Sequence, residues 1–176
     1  FLNKMEISKE QKITDKAEII ANTIISQQDF YLSEKCNENH KQLLETMVGA
    51  AIWYLPQGIE LWTEQISFKA FEKLLSAKKA KDVKLTKDHQ FPRKIAASEL
   101  FKIKWEKVED PKAEVLRLYR TKYGLFNYVL PDENKRLVKY QKAKIFKSPE
   151  DSYNKAGIKL KKLSIKELKS IYDLKK

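Results

Sequence analysis

Lys87-Asp88-His89-Gln90-Phe91-Pro92-Arg93-Lys94 is where the residues ask for chemistry rather than packing. A short strand-like run, 83–86, leads into it and a helix-like run, 95–101, leaves it. An acid and an imidazole therefore sit side by side where a strand ends. Neighbouring side chains of a strand point to opposite faces, so Asp88 and His89 are not expected to be core residues together. Pro92 suits a first helical position and keeps the residue before it extended, which fixes the exit of the chain from the pair. Arg93 and Lys94 add positive charge within a turn.

Outward from this stretch, the apolar periodicity is mostly helical. Ser8 and Gln11 form a capping box ahead of Ile13, Ala17, Ile20 and Ile24, which predicts a helix over about 9–27. Leu44, Met47, Val48, Ala51, Ile52 and Leu55 mark a second helix, ended by Pro56-Gln57-Gly58. Ser67 caps a third, with Phe68, Phe71, Leu74 and Leu75 expected to face inward. Here His40 is expected as a surface or capping residue, and Trp53 and Trp62 as core or groove-lining aromatics. Beyond Pro92, Ile95, Ala96, Leu100 and Ile103 continue an inward stripe, and Asp110-Pro111 starts a helix that Gly124 closes. A strand is predicted over 125–130, where Phe126, Tyr128 and Leu130 alternate with Asn127 and Val129 before Pro131. Asp132 then caps a helix running to about Ile145. Ser148-Pro149 opens a short helix, and a capping box of Ser164 and Glu167, with Leu163 and Leu168 as its staple, opens the last. The expected class is mostly α with a small β component, an α+β fold. The expected organisation is a helical region over 1–82, a core over 83–147 with a helical insert, and basic helices over 148–176.

The 176 residues suffice for one domain with a real core. With 42% hydrophobic and 34% charged residues the chain is globular in composition. Cys36 is the single cysteine, which excludes an internal disulfide and suits a reducing, cytoplasmic setting. No stretch is long and apolar enough for a membrane span, none has the pattern of a secretory signal, and no membrane partner is expected. The first residue is Phe1, so a start residue or upstream segment is expected to precede it. Only four glycines are present and none forms a phosphate-binding loop.

The net charge of +12 is concentrated late in the chain: residues 1–86 carry 12 basic and 12 acidic side chains, residues 87–134 carry 10 and 8, and residues 135–176 carry 14 and 4. Such an excess most often meets nucleic acid, where each neutralised phosphate releases condensed counterions. The bland alternative is a lysine-rich solvated surface on an interaction module.

A strand ending in Asp-His, a proline three residues later, and a second strand leading into a helix with an asparagine in its first turn resemble the HNH, or ββα-metal, nuclease family. Asp88, His89, Pro92 and Asn134 carry the resemblance, over roughly a third of the chain. It implies a ββα-metal-like core and a metal-dependent endonuclease, of a restriction or mobile-element kind, that hydrolyses phosphodiesters of double-stranded DNA. His89 would be the general base, Asp88 a ligand of magnesium or manganese, and Asn134 the asparagine that orients the histidine or its loop. The family's later helical histidine is missing, and Gln141 is the nearest substitute as a ligand. Its frequent Cys-x-x-Cys zinc is absent as well. The separation of His89 from Asn134 exceeds that in compact members, so 92–124 is expected to be a helical excursion. Chemically, an imidazole titrates near neutral pH, and carboxylate and amide oxygens suit hard cations. Arg93, Lys94, Lys135, Arg136, Lys139, Lys142, Lys161 and Lys162 are the expected phosphate contacts. A homodimer is left open. The competing expectation is a basic nucleic-acid-binding protein without catalysis.

Overall fold

The computed structural model describes residues 8–174 and leaves the Lys9 side chain aside. The chain is mostly helical with one small mixed sheet, the α+β class expected. No helix among the described residues is long and apolar enough to cross a membrane. Two compact units share the chain: one holds the described residues up to Gln57 together with Arg93–Tyr123, the other Gly58–Pro92 and the chain from Gly124 on. The boundaries thus fall near 57, 92 and 123, not at 82 and 147, because the chain leaves the second unit after Pro92 and re-enters it at Gly124.

The first unit is helical. Helix α1 (Lys9–Leu32) is capped by Ser8, whose hydroxyl accepts from Gln11 N, and buries Ala17, Ile20, Ala21 and Ile24. Helix α2 (Glu38–Ile52) starts at Asn37, which accepts from His40 N while His40 Nδ1 accepts from Asn37 N. His40 is therefore the capping residue expected. Met47, expected inside, is 53% exposed. Helix α4 (Arg93–Phe101) crosses α2 closely at Gly49: a Cβ there would come within 2.8 Å of the Arg93 carbonyl oxygen, so backbone contact requires glycine. Helix α5 (Pro111–Leu118), capped by Asp110, continues through a π turn to Tyr123.

The second unit carries β1 (Trp62–Ser67), α3 (Phe68–Ser76), β2 (Thr86–His89), β3 (Phe126–Val129), α6 (Pro131–Tyr140), α7 (Pro149–Lys155), β4 (Leu160–Lys162) and α8 (Ile165–Leu174). The sheet order is β2-β3-β1-β4, with β1 parallel to β3 and both outer pairs antiparallel. Strand β1 lies inside the region expected to be all helical. Glu64 has φ 58 and the ladder shifts register between Trp62 and Ile66, a bulge that breaks the alternation of side chains. Strand β2 begins where the expected strand ends, because pairing with β3 runs from Thr86↔Val129 to His89↔Phe126. That pairing buries Asp88 and His89 together, at 3% and 7% exposure, against the expectation that only one would be.

Helix α6 begins at Pro131 and stops at Tyr140, one turn short of Ile145. Its N-terminus is held by Glu133, not by Asp132. The Glu133 carboxylate accepts the Leu130 N–H at 3.0 Å and the hydroxyl of Ser67, the residue that caps α3. Val129, Leu137, Tyr153 and Ile158 then pack as one cluster. Ser148 caps α7, and the reciprocal Ser164–Glu167 box opens α8 with Leu163 and Leu168 buried beside it.

Candidate functional site

Alternation along β2 separates the two residues of the Asp-His pair. Asp88 lies opposite Asn127 in the ladder and faces α6 and α7; His89 lies opposite Phe126 and faces the other way. On the Asp88 side, Gln141 Nε2, at the C-terminal end of α6, donates to Oδ1 at 2.9 Å and Oδ2 at 3.2 Å. The Tyr153 hydroxyl, on α7, donates to Oδ2. Asn127 is 1% exposed; its Oδ1 accepts from the Thr63 hydroxyl, and its amide lies beside the Tyr153 phenol with Nδ2 outside hydrogen-bond geometry. Elements β1, β2, β3, α6 and α7 thus each contribute one polar group to a buried row.

The electrostatics follow from burial. Desolvation raises the pKa of Asp88, and the hydrogen bonds from Tyr153 and Gln141 only partly oppose it. Burial also raises the Tyr153 phenol, and the neighbouring Asp88 charge pushes the same way. No cationic side chain pairs with Asp88 among the described residues.

The His89 side is aromatic. The imidazole meets Phe126 edge-on at 5.9 Å, Phe126 meets Tyr128 at 5.3 Å, and Tyr128 meets Trp62 at 5.3 Å. Lys87 Nζ sits 4.7 Å from the Phe126 ring centre. A cavity of about 340 Å³ on this side is lined by Leu85, Lys87, Tyr128, Leu168 and Tyr172.

Of the residues nominated from sequence, Asp88 and Gln141 touch although they are far apart in the chain. Asn134 is half-buried in the first turn of α6, and two helical turns, about 10 Å of rise, separate it from Gln141. Gln141, and not Asn134, meets Asp88. Arg93 and Lys94 open α4 in the first unit, where the Arg93 guanidinium stacks over Trp53 at 4.4 Å. Lys135, Lys139, Lys142 and Lys162 are exposed on the second unit, and Arg136 is half-buried. Lys161 is half-buried too, with Nζ 3.4 Å from the Phe71 ring centre, so its charge is spent on an aromatic face.

The sequence reading passed over Asn127, Tyr153, Thr63 and Glu133. A signal existed for Asn127, which shares the strand phase of Val129 and so must be inside wherever Val129 is.

The resemblance implies a divalent cation at Asp88. Asp88 is a buried acid without a cationic partner among the described residues, and burial disfavours its charged form. Among the described residues no three His, Cys, Asp or Glu side chains converge. The Asp88 carboxylate is the one oxygen ligand in place, since Gln141 turns its Nε2 toward it; carboxylate and amide oxygens are the kind that magnesium and manganese take. Comparison with family models, with curated proteins and with solved structures finds no match.

Proposed function

We propose that the second unit is an HNH-type endonuclease module that hydrolyses phosphodiester bonds of double-stranded DNA with a magnesium or manganese ion. One observation carries this reading. Strands β2 and β3, far apart in sequence, pair antiparallel and lead directly into α6, whose end meets the strand-end aspartate. This order of two paired strands and a helix supports the ββα layout that the resemblance implies. Asp88 would hold the cation with Gln141, whose amide must turn to offer its oxygen. His89, the last residue of β2, would take the proton of the attacking water, with the scissile phosphate lying across the strand end. The bound ion would stabilise charge developing on the phosphate oxygens. The exposed Lys135, Lys139, Lys142 and Lys162 would hold flanking phosphates. Cys36, buried and free, suits a reducing cytoplasm.

A second reading has its own observation. Asp88 is already satisfied by two donors and His89 rests on Phe126 across the sheet, an arrangement also suited to a DNA-binding unit that does not cut. Incubating supercoiled plasmid with the whole chain in magnesium, in manganese and in chelator separates the two. The nuclease reading expects nicking or linearisation with metal and none with chelator. Binding to duplex DNA without metal-dependent cleavage would leave the second reading.

A further inference from the structure

Helix α7 lies beyond the two strands and the helix that the resemblance covers, yet it supplies the shortest contact to the Asp88 carboxylate. We propose that Tyr153 is a positioning residue for Asp88, fixing the carboxylate so that Oδ1 is the oxygen left to coordinate a cation; this rests on the nuclease reading of Asp88. Each carboxylate oxygen has two acceptor sites. Oδ2 takes Tyr153 and the longer Gln141 bond, and Oδ1 takes Gln141 alone, so once the Gln141 amide turns Oδ2 keeps its Tyr153 donor and Oδ1 is left without one. The two donors differ in freedom. Gln141 caps the end of α6 and is half-buried, so its amide can turn. Tyr153 is 4% exposed, its ring clamped among Val129, Leu137 and Ile158, so its hydroxyl has one place to be. The ring is a core residue whose tip reaches the site, and α7 is thereby part of the site and not an appended basic tail.

Tyr153→Phe keeps the ring and removes the hydroxyl. Manganese is titrated calorimetrically into the whole chain without DNA. Loss of a group that orients a metal ligand typically weakens the metal about ten- to a hundredfold, and that is the change expected for Tyr153→Phe. Cleavage at saturating manganese should return to within a few-fold of the parent, because positioning affects occupancy more than chemistry. Tyr128→Phe, on the aromatic side of the sheet, should leave manganese affinity unchanged. Equal affinity in the parent and Tyr153→Phe, or equal weakening in both variants, would overturn the positioning role and leave the nuclease reading intact. Failure of the parent chain to bind manganese would overturn both.

Discussion

The two sides of the β2–β3 ladder are built from different chemistry within one residue of each other. On one side Gln141 and Tyr153 donate to Asp88, Thr63 donates to Asn127, and Glu133 ties α6 to Ser67; on the other His89, Phe126, Tyr128 and Trp62 form a run of ring contacts. The difference teaches where each side gets its definition. A polar row in low dielectric is stable only when its members are satisfied, so it fixes geometry. A run of rings is held by area and tolerates adjustment. A carboxylate meant to sit still belongs on the first, and an imidazole meant to meet an incoming group can rest on the second.

The largest effect expected from breaking this contrast is on stability. Glu133 is 2% exposed and serves both the Leu130 N–H and the Ser67 hydroxyl, so Glu133→Ala strands two buried donors. Unsatisfied buried groups cost about 1–3 kcal/mol each, and a melting temperature lower by on the order of 10 °C is expected by calorimetry. Tyr128→Phe on the aromatic side keeps the ring contacts with Phe126 and Trp62 and should cost no more than about 1 kcal/mol. Equal losses would show that the two sides do not differ in kind.

A smaller effect sharpens the polar side through pH. The folded pKa of Asp88 lies above its unfolded value, so the folded state binds the proton more tightly. Its contribution is then fully present below the unfolded pKa and is lost as pH rises through the folded one. In chelator, stability of the parent chain should fall relative to Asp88→Asn as pH rises from about 4, near the unfolded carboxylate value, toward neutrality. Denaturation curves showing a gap independent of pH would mean that the carboxylate is not destabilised by burial.

The smallest effects lie on the surface. Replacing Lys139 and Lys142 together should reduce the log-log salt slope of duplex binding by about 1.8, at about 0.9 per phosphate contact. Lys162→Ala should weaken binding more than Lys161→Ala, since Lys161 already lies over Phe71. Equal losses in a filter-binding series would return Lys161 to the phosphate surface.

Caps were the most legible part of the sequence. Ser8, Asp110, Ser148 and the Ser164–Glu167 box each mark a helix start, because the chemistry of an N-terminus is complete within four residues. Strand β3 was legible from its alternation, but the sense of that alternation was not. The alternation of Phe126, Tyr128 and Leu130 with Asn127 and Val129 does not say which set is inside, and Phe126, Asn127 and Val129 are all buried because both sides of the sheet are covered. Strand β1 was hidden by its bulge at Glu64, and β4 is too short to leave a pattern. The two-unit division was hidden because each unit is closed by contacts between segments far apart in the chain. Asp88 and Gln141, nominated from the resemblance, touch, while Tyr153 was not nominated, since nothing local to 149–155 distinguishes a core tyrosine from one that reaches a carboxylate.

The central claim is that the end of β2 cuts DNA, and His89→Ala tests it most directly because it removes the proposed general base. Single-turnover cleavage of duplex DNA at saturating protein and manganese should fall about a hundredfold to ten-thousandfold in this variant, with duplex affinity close to the parent's at a temperature where circular dichroism shows the variant folded. Cleavage at the parent rate would contradict the account and remove the catalytic role from this strand end.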